Sequence, residues 1–176
     1  MTTPLTPPAR QGNWLFANSL ALLALRLVLG WTFTFHGSQK LFGAFNGPGM
    51  QAWTGIIDSM HLPLLPASAW AYMAAGGEFF GGILVLIGLL TRLATLPIIV
   101  TMLVAIVSVT GANGFGGSYD PVKGLQLGYE FNLALIAMSV ALLLSGAGLL
   151  SLDALLFKRN LWAHGPQPLD NPIKKT

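Results

Sequence analysis

Two charged residues stand where charge is costly. Arg26 and Glu78 each lie about eleven residues into a long apolar run. A charge at the centre of a bilayer costs about 2.5–3.5 kcal/mol on insertion scales, so it persists there when paired or used. If the two runs are neighbouring antiparallel helices, both charges come to mid-depth, and an Arg26–Glu78 ion pair is expected. The guanidinium would give two parallel hydrogen bonds to the carboxylate. Such a pair suits a clamp that fixes helix register, or a site that orients a ligand and exchanges charge with it.

Helical geometry extends this set towards one end. At 100° per residue, Gly30, Phe33, Gly37 and Lys40 fall within about 40° of Arg26. His36 lies about 80° away. Glu130 opens the last apolar run, where an acid is ordinary helix-dipole chemistry, or where it would face Lys40 or His36. The candidate ligand-binding residues are Arg26, Phe33, Glu78 and Glu130. The candidate catalytic residues are His36, Lys40 and Glu78, handling protons or an anionic substrate at the outer face. Polar groups opening outward from mid-depth beside aromatic rings suit an amphipathic, polar-headed ring such as a quinone, or a lipid headgroup.

The elements holding these residues follow from composition. Of 176 residues, 53% are apolar and 9% charged, against about 25% charged in an ordinary soluble domain. This excludes a disordered chain, a water-soluble globule and a nucleic-acid-binding surface. There is no cysteine, hence no protein thiol chemistry, iron–sulfur ligation or covalent haem attachment. No metal site and no covalently bound cofactor is expected.

Four apolar runs can cross a bilayer about 30 Å thick: from about Leu15 to His36, Ala67 to Leu90, Leu93 to Thr110 and Phe131 to Leu150. The fold expected is an all-α, four-span bundle. Pro97 falls in the first turns of the third run, where a proline costs least. The opening MTTPLTPPAR does not resemble a signal peptide, so the first run is read as a retained helix. Residues 1–14 are a tail, 15–157 the membrane domain and 158–176 a basic tail. With four spans, six of the nine Lys/Arg (Arg10, Arg92, Lys158, Arg159, Lys174 and Lys175) share one side, and Lys40 and Lys123 face the other. That excess puts both termini in the cytoplasm.

In the first outer loop, Trp53, Ile56, Ile57 and Met60 mark one face of a short helix expected to lie at the membrane interface, with Trp53 among the headgroups. Residues 111–128 read as a turn-rich loop or short hairpin. Gly146 and Gly148 end the last span, and Ser151 can cap a short helix over Leu152 to Phe157. Gly76, Gly77, Gly81 and Gly82 admit a neighbouring backbone.

The strings LRLVLGWTFTFHGSQKLFG, GGEFFGGILVLIGLLTRLATLPIIVTMLVA and YEFNLALIAMSVALLLSGAGLLSLDALL, in this order, resemble the DoxX family of bacterial membrane proteins. The likeness covers about Leu20 to Leu156. It implies a four-helix protein of the bacterial inner (plasma) membrane, linked to quinone-dependent oxidoreduction, with membrane lipid, a quinone and a soluble or membrane-bound redox protein as partners. Positions matching the family's pattern are Arg26, Gly30, His36, Gly37, Lys40, Glu78, Arg92, Glu130, Ser151 and Asp153. The resemblance implies no established catalytic assignment. Two other readings remain: a non-catalytic binding or transport protein for a lipid or small hydrophobic molecule, which uses the same residues, and a membrane anchor for a soluble oxidoreductase, in which the cytoplasmic Arg92, Lys158 and Arg159 matter more than Glu78.

Overall fold

The computed structural model describes residues 9–157, with side chains from Trp14 onward. The chain is mostly helical. α1 (Ala9–Phe42) is followed by a 3-10 turn at Ala44–Asn46, α2 (Gly49–Ser59), α3 (Ala67–Ile87) and α4 (Thr91–Ala105). α4 continues as a π-helical turn, Ile106–Thr110, and a 3-10 turn, Gly111–Asn113. A hairpin of β1 (Ser118–Asp120) and β2 (Gly124–Gln126) leads into α5 (Glu130–Ser145) and α6 (Leu152–Leu156). Within the described residues, Trp14–Phe42, Ala67–Ile87 and Thr91–Asn113 are helices long and apolar enough to cross a membrane, while Glu130–Ser145 is a shorter apolar helix.

α1 runs 34 residues, about 51 Å at 1.5 Å per residue, and overshoots the run expected from Leu15 to His36 at both ends. Its Arg26, Gly30, Phe33, Gly37 and Lys40 form one stripe as expected, and Gly30 and Gly37 on that stripe lie directly against α3. A Cβ on Gly30 would lie 2.7 Å from the Leu86 backbone nitrogen, and one on Gly37 would lie 2.4 Å from that of Phe79. Gly82 answers from α3, where a Cβ would meet the Thr34 nitrogen at 2.4 Å. Gly77 and Gly81 admit α4 instead, each leaving 3.0 Å, to Pro97 Cβ and the Ala94 carbonyl respectively. α3 is thus thin on two sides and packs closely between two neighbours. Leu29, Phe33, Val85, Ile98 and Leu142 fill the centre.

At one end of the bundle the chain ties its helix termini together. Gly88 (φ +72°) closes α3, and Gly146 (φ +79°) and Gly148 (φ +77°) close α5. Ser151 caps α6 by accepting from the Ala154 N–H at 3.1 Å. Asp153 accepts from the N–H groups of Leu90 and Thr91, at 2.7 and 3.1 Å, where α4 begins. An acid at a helix N-terminus satisfies donors that lack an intrahelical partner and suits the helix dipole.

Candidate functional site

Arg26 does not pair with Glu78. The α1–α3 contacts set residue 38 level with Glu78, and Arg26 lies twelve residues further along, about 18 Å away. The two apolar runs are staggered, so their centres do not meet. Arg26 is 2% exposed and sits among helix ends. Its Nε donates to the Val85 carbonyl at 3.0 Å and its Nη2 to that of Leu86 at 3.0 Å. Its Nη1 donates to the carbonyls of Ala147 and Leu150, at 3.0 and 2.6 Å. One guanidinium therefore serves the C-terminal carbonyls of α3 and the turn after α5. Arg92 adds a bond from Nη2 to the Leu144 carbonyl at 3.0 Å.

Glu78 pairs with Lys40. The ammonium bonds both carboxylate oxygens, Oε1 at 2.6 Å and Oε2 at 2.5 Å. The carboxylate is 1% exposed and the lysine side chain 18%. Lys40 also stands 4.5 Å from the centre of the Trp53 ring, a cation–π contact. The pair floors a cavity of about 330 Å³. α3 contributes Trp70, Met73 and Ala74 to its wall, α4 contributes Pro97, Val100 and Thr101, and α2 contributes Trp53 and Ile57. The other polar groups of the wall are engaged elsewhere. Trp53 Nε1 donates to the Ala71 carbonyl, Trp70 Nε1 to that of Pro63, and Thr101 Oγ1 to that of Pro97. The Lys40–Glu78 pair is left as the polar feature of an apolar chamber.

Of the residues expected to form the site, the structure brings Lys40 and Glu78 together and leaves the rest outside the cavity wall. Phe33 is buried in the central core. His36 is exposed, with Nδ1 3.0 Å from Gln39 Oε1. Glu130 is exposed at the start of α5, and among the described residues it forms no ion pair with Lys40 or His36. Trp53, Trp70, Met73 and Pro97 were not expected at the site. The stripe of Trp53, Ile57 and Met60 was visible as an apolar helical face, but its destination was not. Trp53 is directed inward onto Lys40 and α3, whereas sequence placed it among headgroups.

A glycine-packed helical membrane protein with one charge pair at an apolar cavity is the class these features define. The DoxX family model matches residues 21–111. A Bacillus subtilis protein carrying the name "Putative oxidoreductase CatD" is 32% identical over 139 residues, covering 79% of this chain and 89% of that protein. The chain belongs to the DoxX family. An uncharacterised protein of Haemophilus influenzae is 31% identical, over 80% of this chain and 86% of its own. An uncharacterised membrane protein of Mycobacterium tuberculosis is 32% identical, over 79% and 83%. No solved structure matches the chain significantly.

Proposed function

We propose that the protein is a four-span component of the bacterial cytoplasmic membrane, acting as a quinone-linked oxidoreductase or as the membrane subunit of a redox complex. The observation that carries this reading is the Lys40–Glu78 pair on the floor of an apolar cavity. Support comes also from the name of the Bacillus relative. Quinone sites need an apolar chamber for the ring, a donor for a carbonyl oxygen and a group that can carry protons. Here Lys40 Nζ holds the carbonyl oxygen. Glu78 fixes the ammonium and is the neighbouring proton carrier. Trp53, Trp70 and Ile57 keep water away. A quinone bound there would supply two-electron, two-proton carrier chemistry, its electrons coming from a redox centre on a partner protein. Both termini lie in the cytoplasm in this reading, and α2 lies at the outer interface.

The test is extraction of protein purified in its native lipids, followed by ultraviolet and mass analysis. About one quinone per chain is expected, lost in Lys40→Ala. Absence of quinone, together with no quinone-dependent electron transfer beside any partner, would refute the reading. A second reading has its own support. Lys40 and Glu78 are the titratable residues in the cavity wall, so the site also suits non-catalytic retention of a lipid or small hydrophobic molecule. Recovery of such a molecule in place of quinone would favour it.

A further inference from the structure

We infer that the cavity takes an amphiphile with an uncharged, oxygen-bearing head, whose chain leaves sideways between α3 and α4 into the lipid layer. This rests on the cavity being a ligand site, and not on redox chemistry.

The sideways exit follows from how α3 and α4 meet. They touch closely at Gly77–Pro97 and Gly81–Ala94. Towards the α3 N-terminus the same two helices line the cavity with Met73 and Ala74 on one side and Val100 and Val104 on the other. The helices therefore part just beyond Pro97. Proline cannot donate the backbone bond a helix needs there, and α4 then passes into the π turn at Ile106–Thr110. Three wall residues are well exposed: Met73 at 58%, Val100 at 56% and Val109 at 50%. All three are apolar, and all belong to the membrane-crossing segments. Phe80, Leu96, Leu103 and Val107 continue this apolar flank. At the helix ends, α2 lies across the cavity with Ile57 4% exposed and Trp53 bonded to Ala71. A mouth with such a rim faces acyl chains. The cavity is near the lower end of the range of about 300–1,000 Å³ for ligand sites, so a long chain must project through that mouth.

The head's charge follows from the pair. Lys40 and Glu78 sum to zero. Two ammonium protons are committed to the carboxylate, which leaves one N–H for a ligand oxygen. An anionic head would share the ammonium with Glu78 in an apolar chamber, and a cationic head would meet the ammonium itself. Burying either unpaired charge is costly, whereas a carbonyl or hydroxyl oxygen needs one donor only.

The test uses tryptophan quenching in lipid nanodiscs. Trp14, Trp31 and Trp162 are replaced by Phe, leaving Trp53 and Trp70, which both line the cavity. The probes are 9,10-dibromostearyl alcohol, 9,10-dibromostearate at pH 9 where it is ionised, and 2-bromoethanol. The alcohol is expected to quench saturably, at concentrations at least tenfold below those the other two require at the same pH. Val100→Phe at the mouth is expected to weaken the alcohol at least fivefold, and Val28→Phe, equally exposed but on α1 and outside both the wall and its flank, to leave it unchanged. Equal quenching by the stearate overturns the uncharged head, and equal quenching by bromoethanol overturns the chain. A Val100→Phe variant that binds normally overturns the lateral mouth. Decylubiquinone then serves as competitor. If it fails to displace a well-bound alcohol, the quinone reading falls while this inference stands.

Discussion

Arg26 and Lys40 share a stripe of α1 and both turn towards α3, yet they bind different things because different levels of α3 offer different partners. Low on the stripe are helix ends with bare carbonyls, which suit a guanidinium with five fixed donors. Higher up is the flank of α3, where Glu78 meets an ammonium. Residue types announced both positions in the sequence, and the stripe itself was legible. The pairing was not, because each apolar run was centred on its own, and the stagger between two helices is set by glycine contacts that leave no mark in hydropathy. Replacing Arg26 by Ala strands the carbonyls of Leu86, Ala147 and Leu150 at once, while that of Val85 keeps the Gly88 N–H. A loss of about 3 kcal/mol or more is expected, with Arg26→Lys recovering part of it, read by thermal unfolding in detergent. Glu78→Ala leaves an ammonium behind in an apolar wall. Removing one partner of a fully buried pair costs about 3–5 kcal/mol, and the partial exposure of Lys40 lowers this to about 2 kcal/mol. The double variant Lys40→Met with Glu78→Leu is expected to regain the stability but not the ligand. If it regains both, the pair is a packing device and no site.

At the scale of elements, α1 and α3 are held by backbone approach. Gly37→Ala would put a methyl 2.4 Å from the Phe79 nitrogen, in a place where both partners are backbone and neither can rotate away. The helices must separate. The expected outcome is a fall in melting temperature and a shift of Lys40 away from Glu78. Gly76→Ala is the control, since its methyl would meet little beyond the edge of Phe80 at 4.0 Å, and better helix propensity makes it neutral or slightly stabilising. Of the four glycines the sequence marked as admitting a neighbouring backbone, Gly77, Gly81 and Gly82 do so and Gly76 does not, and nothing in the sequence told which neighbour each meets. The hairpin was legible as turn chemistry, and it carries a pH dependence of its own. Backbone N–H bonds from Lys123 and Val122 hold the Asp120 carboxyl below the usual carboxylate range. Its contribution to the turn is therefore present above the ordinary Asp pKa and is lost as pH falls through the lowered value. Amide exchange at Val122 and Lys123 should quicken in that acid window. Asp120→Asn, which keeps an acceptor but not the charge, should be insensitive to it.

For the whole molecule, the question with the largest consequence is whether α5 crosses the bilayer. At 16 residues it is about 24 Å long, short of a 30 Å core. Its contacts argue that it runs the full height of α4 even so. Near one end Arg92, in the first turn of α4, bonds the Leu144 carbonyl in the last turn of α5. Near the other end Thr110 bonds Asn132, in the first turn of α5. These two contacts set both ends of α5 against α4 and support the four-crossing reading, with the Gly146–Leu150 turn held by Arg26. Arginines then gather where helices present carbonyl ends, and the positive-inside bias and the helix dipoles favour the same side. The absence of cysteine makes this open to a clean measurement. Ser118→Cys in the exposed hairpin and Thr176→Cys at the last residue are each treated with a membrane-impermeant maleimide on intact spheroplasts. With four crossings and a cytoplasmic C-terminus, Cys at 118 reacts at once and Cys at 176 reacts only after permeabilisation. If α5 turns back without crossing, both positions react under the same condition. That result would leave three spans and return Glu130 and the tail to one side of the membrane. Reaction at 176 alone would keep four spans but invert the protein, placing Lys40, Glu78 and their cavity nearer the cytoplasmic face.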